Sequence, residues 1–172
     1  MSPARMIAVR VATPDDTDAV TAVLQASYPV LMRPAYPPAM LGPALALMTR
    51  ANPALLASGT FFVAEEGGGR VAGCGGWTPG RPGPDPKPSE ASNGHIRQFA
   101  VRPDRLRRGV GRALIAHTID DARAAGMTRL SCYSSLVAVA FYTSAGFTVI
   151  GPETVMLMPG VPIDAVAMEL VL

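Results

Sequence analysis

The stretch Phe99-Ala-Val-Arg-Pro-Asp-Arg-Leu-Arg-Arg-Gly-Val-Gly-Arg-Ala-Leu114 decides how this chain is read. It opens as a buried strand, passes through a short arginine-rich turn holding two glycines, and enters a helix. A turn of this kind aims consecutive backbone N–H groups outward at a helix N-terminus, where the macrodipole also favours negative charge. Gly109 and Gly111 remove the Cβ atoms that would block close approach and permit positive φ. Arg105, Arg107, Arg108 and Arg112 surround the turn with positive charge. A pyrophosphate suits such a place.

Two common phosphate-binding patterns do not fit. A dinucleotide fingerprint would need a third glycine where Leu114 stands, and an acidic residue some way on, where the chain reads Leu130-Ser-Cys-Tyr-Ser134. A P-loop would need Gly-Lys-Ser/Thr after the glycines, and none follows. The ligand is therefore expected to be neither a dinucleotide nor a magnesium-bound triphosphate.

The rest of the composition narrows the class. At 172 residues the chain is expected to be one domain, residues 1–172, long enough for a proper core. A hydrophobic content of 49% fits a globular protein, and a net charge of +2 is too small for a nucleic-acid binder. The positive charge is instead local to residues 102–112, which suits a small anionic ligand. Cys74 and Cys132 have neither a disulfide framework nor metal-ligand spacing, so no metal is expected and both read as small buried hydrophobes. No apolar run is long enough for a membrane span, and the N-terminus does not resemble a signal peptide, so a cytoplasmic location is expected.

Working outward, Met6–Ala12 suits a first strand, and Thr13-Pro-Asp-Asp offers an N-cap, a first-turn proline and two acids. The helix starting there is expected to reach about Ser27 and bury Ala19, Val23 and Ala26. Six prolines break residues 28–59, leaving a short helix near Ala39–Arg50. Thr60–Glu66 and Arg70–Thr78 flank Gly67-Gly-Gly69, a strong hairpin signal. Pro79–Asn93 reads as a long exposed loop. Gly94–Val101 is a strand, Val110–Ala125 a helix closed by Gly126, Thr128–Tyr133 a strand and Leu136–Ser144 a short helix. Phe147–Met158 and Ile163–Leu172 form a closing hairpin. The order is β-α-α-β-β-β-α-β-α-β-β, an α/β protein with helices on the faces of its sheet.

This order and two local patterns resemble the GNAT superfamily of acyl-CoA-dependent N-acyltransferases. The family's acetyl-CoA loop, Gln/Arg-x-x-Gly-x-Gly/Ala, is matched by Leu106-Arg-Arg-Gly-Val-Gly111, with Leu106 departing at the first position. The family's ending Asn-x-x-Ala-x-x-Phe/Leu-Tyr-x-x-x-Gly-Phe is matched by Ser135-Leu-Val-Ala-Val-Ala-Phe-Tyr-Thr-Ser-Ala-Gly-Phe147, with Ser135 where Asn is common. The resemblance spans essentially the whole chain and is strongest from 94 to 147. It implies a single mixed, mostly antiparallel twisted sheet of about seven strands flanked by about four helices.

The resemblance also implies an activity: transfer of an acetyl or other acyl group from acetyl-CoA (coenzyme A) to a primary amine of a small molecule or peptide, by direct attack in a ternary complex. The main chain of Phe99, Ala100 and Val101 would then pair with pantetheine. Amides from Arg107 through Arg108, Gly109, Val110 and Gly111 to Arg112 would hold the pyrophosphate, with Ser135 and Ala138 alongside pantetheine. Tyr142 is implied as the general acid that protonates the departing thiolate, and Glu90 and His95 are candidate bases. Tyr28, Tyr36 and Trp77 are expected to wall the acceptor site. Two other classes fit the same residues: a non-catalytic CoA-binding sensor or interaction module, and a homodimeric structural or stress-response protein. Gly109, Gly111 and Tyr142 argue against degeneracy. A homodimer paired through the hydrophobic C-terminal strand fits the sequence, whereas nucleic acid and membrane are not expected partners.

Overall fold

A computed structural model describes residues 6–80 and 91–172. Seven strands form one sheet: β1 (Ala8–Val11), β2 (Phe61–Glu66), β3 (Arg70–Pro79), β4 (Asn93–Val101), β5 (Arg129–Ser134), β6 (Thr148–Met158) and β7 (Val161–Val171). Their spatial order is β1-β2-β3-β4-β5-β7-β6. Every pairing is antiparallel except β4 with β5, which run parallel. The helices are α1 (Thr17–Met32), α2 (Pro38–Met48), α3 (Pro53–Leu56), α4 (Val110–Ala124) and α5 (Val139–Ser144). The expected order holds, with the single-turn α3 added to it.

The central strands β2 and β3 are buried on both faces, so their apolar residues run on rather than alternate. Phe61 and Phe62 are neighbours in β2 yet belong to different cores. Phe62 joins Trp77, Ile96, Leu114, Leu130 and Phe147 beneath α4 and α5. Phe61 joins Val20, Val23, Leu24, Leu55 and Leu56 beneath α1 and α3. A third cluster, built on Met32, Tyr36, Leu41 and Ile163, seats α2 on β7.

The start of α1 is set by the predicted acids. Asp16 Oδ2 accepts the Thr13 N–H at 2.8 Å, while its two oxygens take Arg10 Nη1 and Nη2 at 2.9 and 2.8 Å. The face that α1 buries keeps the expected Val23 but is otherwise shifted from the expected one. Val20, Val23, Leu24 and Ser27 are buried, whereas Ala19 and Ala26 are only partly so. The larger aliphatic side chains remove more apolar area from water than alanine does, so they take the core side. The helix also runs past Ser27, through Pro29, to Met32.

Two departures from regular pairing position the site. First, β4 and β5 pair only over Asn93–His95 and Arg129–Ser131, then separate. Second, β4 bulges against β3: Cys74 faces Ala100 and Gly76 faces Arg97, so Gln98 and Phe99 together oppose Gly75. Gln98 takes the left-handed region with φ 43°, and the Phe99 ring fills the space where a Cβ on Gly75 would stand. The C-terminal strand β7 is paired on both sides, with β5 and β6. It therefore offers no free edge for a dimer, contrary to the sequence expectation; the edges of the sheet are β1 and β6.

Candidate active site

The parting of β4 from β5 opens two cavities that meet in the middle of the sheet. The larger, about 600 Å³, lies between the bulged half of β4, the turn 105–109, the first turn of α4, and α5. The smaller, about 370 Å³, lies on the α1–α2 side, over β4, β5 and β7. Tyr28, Met32, Phe99, Ser135, Ala138 and Tyr142 line both, so they mark the junction.

At one end of the larger cavity lies the glycine turn that enters α4. Gly109 caps α4 with φ 84° and Arg107 has φ 60°, so left-handed residues alternate with others just before the helix. Such alternation turns successive N–H groups toward one side. No side chain caps α4, which leaves the N–H groups of Val110, Gly111 and Arg112 for an outside acceptor. At Gly111 a Cβ would meet the Phe141 ring at 3.0 Å. Arg107, Gly109, Val110, Gly111 and Arg112 all line this cavity, as do Phe99, Ala100 and Val101. Arg108 does not, and it is exposed. Arg105, absent from the expected site, does line it and is fixed by an ion pair to the buried Glu66, Nε to Oε2 at 2.7 Å. The run of arginines signalled it, but only β2 supplies its anchor.

At the junction the Tyr28 hydroxyl donates to the Phe99 carbonyl at 2.9 Å, tying α1 to the bulge. Tyr142 projects from α5 between the rings of Phe99, Phe141 and Phe147, with centroids 6.2, 5.1 and 5.5 Å away. It is 5% exposed, and its hydroxyl lies within hydrogen-bonding reach of Cys132. Burial, reinforced by the neighbouring Cys132, holds the Tyr142 pKa well above its ordinary value. Burial likewise pushes the Cys132 thiol up to about 12, so it is an inert neutral neighbour.

The smaller cavity has mostly apolar walls. Tyr36 is fixed there, donating to the Asp164 carbonyl at 2.7 Å and accepting the Leu136 N–H at 2.9 Å. His95 lines it at the last residue of β4 that pairs with β5, 2% exposed, with its ring 5.0 Å from Tyr133. Glu90 lies outside the described residues. Trp77 corrects the sequence reading: it lines neither cavity. It is buried beneath α4, where its Nε1 donates to Asp121 Oδ2 at 2.8 Å. Strand alternation turns Trp77 to that side, and no aromatic count could have shown it. Sequence reasoning also missed Arg97, two residues beyond His95 on the same strand and in the same cavity.

A sheet parted beside a bulged strand, with an uncapped glycine-led helix at one mouth and a second cavity behind it, defines an acyl-group transferase that draws on a phosphate-bearing donor. The chain belongs to the acetyltransferase (GNAT) family, whose model matches residues 23–147. It is an acetyl-CoA-dependent N-acetyltransferase. No curated protein matches the sequence. Among solved structures, a GCN5-related N-acetyltransferase from Rhodopseudomonas palustris is 25% identical with a TM-score of 0.77, covering 96% of this chain and 95% of that one. A GCN5-related N-acetyltransferase from Kribbella flavida is 28% identical with a TM-score of 0.59, over 96% and 98%. The PaiA N-acetyltransferase from Thermoplasma acidophilum, solved in complex with coenzyme A, shares the fold at 14% identity and a TM-score of 0.72, over 97% and 99%. Among the described residues no helix is long and apolar enough to cross a membrane.

Proposed function

We propose that the chain acetylates a primary amine on a small molecule or peptide, with the donor in the larger cavity and the acceptor in the smaller. The observation that carries this division is the junction, where Tyr142, Phe99 and Ser135 line both cavities. The cradle fits the diphosphate of coenzyme A, because it combines uncapped amides, a Cβ-free approach at Gly109 and Gly111, and the cations of Arg107 and Arg112. Phe99, Ala100 and Val101 offer main chain to pantetheine on the side where β5 has moved away. The Phe99 carbonyl is already bonded to Tyr28, so its N–H is the group left for the thioester side. Ser135 and Ala138 flank the same passage.

The acceptor amine must be neutral to attack. With a lysine-like pKa near 10.4, only about 1 in 2,500 amines is neutral at pH 7, a penalty near 4.6 kcal/mol. His95 is the described residue best placed to take the proton, because it lines the acceptor cavity and a neutral imidazole carries a ring nitrogen that can accept one. Tyr142 gives its proton to the leaving thiolate, and main-chain N–H groups of the bulge stabilise the oxyanion. Holding both reactants at one junction supplies much of the remaining acceleration. Tyr28 and Tyr36 shape the acceptor wall.

The test is thiol release from acetyl-CoA in the presence of a panel of amines. At least one amine is expected to raise release well above hydrolysis. Acetyl-CoA binding with no amine-dependent release across the panel would overturn the reading. Pairing between copies through strands, where it occurs, would run through β1 or β6.

A further inference from the structure

Arg97 is the one lysine or arginine among the described residues lining the acceptor cavity. It sits on β4 beyond His95, partly buried, and donates from Nη1 to Thr78 Oγ1 at 3.3 Å. Among the described residues no carboxylate pairs with it. Burial lowers its pKa, yet a guanidinium stays charged in any protein environment. A half-buried cation without a counter-charge is costly unless a ligand supplies one. The one acidic residue among the described residues lining this cavity, Asp164, makes no ion pair with Arg97 and accepts instead from Thr154 Oγ1 at Oδ1, 3.3 Å. The remaining walls include Met32, Met48, Val155, Leu157 and Ile163. They suit a hydrocarbon or aromatic body.

We propose that the acceptor is an amine whose apolar body also carries a carboxylate, and that Arg97 binds that carboxylate. The inference rests on the acceptor lying in the smaller cavity. A guanidinium presents paired parallel N–H donors that match the two oxygens of a carboxylate. With Nη1 turned toward Thr78, the Nε and Nη2 edge is the pair left for the ligand. One fixed cation against apolar walls matches a monoanion better than a phosphate dianion. Anchoring the carboxylate would orient the amine toward the junction, the positioning that direct transfer requires.

The test separates the anion site from the chemistry. Calorimetry on the protein saturated with CoA would compare 3-phenylpropionate with 3-phenylpropanamide, which share a body and differ in charge. The carboxylate is expected to bind about tenfold or more tightly. In Arg97→Gln that preference is expected to vanish, and in Arg97→Lys to return in part, while CoA affinity, measured in the same titrations, reports folding. Equal binding of acid and amide, no binding of either at millimolar concentration, or an undiminished preference in Arg97→Gln would overturn the proposal. Thiol release with phenylalanine and with 2-phenylethylamine gives the second arm. Faster release with 2-phenylethylamine overturns the carboxylate requirement and leaves the acetyltransferase reading standing. Release with neither, beside an Arg97-dependent preference in calorimetry, counts against the assigned amine chemistry and not against the anion site.

Discussion

Tyr142 stands where the two cavities meet, and burial, with Cys132 beside it, raises the pKa of its hydroxyl well above that of an ordinary tyrosine, so it holds its proton at neutral pH. A raised pKa is what a proton donor needs, since the protonated form is present wherever a thiolate must be neutralised. Tyr142→Phe is therefore expected to lower kcat by about a hundredfold at pH 7. The apparent KM for acetyl-CoA should change little, because the lost hydroxyl does not touch the cradle. The deficit should shrink above about pH 9, where a thiol of ordinary pKa near 8.5 leaves as thiolate unaided. The wild-type rate should show no fall attributable to tyrosine ionisation below about pH 10. A pH–rate profile of both proteins checks this, and an unchanged rate in the variant would remove Tyr142 from the reaction. Trp77 is the opposite case at the same scale. Its type suggested a binding wall, but its indole N–H is spent on Asp121 and its ring on the α4 core.

Among the elements, the bulge in β4 is the one that makes room for chemistry. It stands because Gly75 leaves a place for the Phe99 ring: a Cβ there would lie 2.5 Å from that ring. Gly75→Ala is expected to cost about 1–3 kcal/mol by overpacking, and to reduce activity by moving the main chain of Phe99. Gly67→Ala, in the β2–β3 turn with no atom within 4 Å of the added Cβ, should be nearly silent. Thermal unfolding and turnover of the two variants give the comparison. The start of α1 carries a pH-dependent contribution. Arg10 hydrogen bonds chiefly hold the Asp16 carboxyl below the usual carboxylate range. The unfolded chain then binds this proton more readily, so the stabilisation is complete above the ordinary value of about 3.9 and fades as pH falls further. Melting temperatures of wild type and Asp16→Asn should differ at pH 6 and converge toward pH 2.5.

For the molecule as a whole, the donor site links folding to ligand. Coenzyme A at a hundred times its Kd should add about 2.7 kcal/mol of stability, raising Tm by about 5–10 °C. Gly109→Glu should abolish that rise. It places a side chain at φ 84° and an anion where the phosphates belong, whereas the apo protein should unfold only a few degrees lower. Differential scanning with and without ligand measures both. An equal rise in the variant would remove the turn 107–112 from diphosphate binding.

Features written in local physics are legible from the residues alone. These are the strand–turn–helix around Gly109, the hairpin at Gly67–Gly69, the cap before α1, and the element order. Each depends on residues within a few positions of one another. What depends on facing and register emerged only once distant elements packed together. Strand alternation sent Trp77 to the α4 core and Arg97 to the smaller cavity; a bulge opposite Gly75 turned Phe99; Glu66, brought from β2, fixed Arg105. Packing also chose Val20 and Leu24 over Ala19 and Ala26, and paired β7 on both sides. Such outcomes are set by which distant surfaces meet, and a period of two or 3.6 residues gives the faces of an element but not what will cover them.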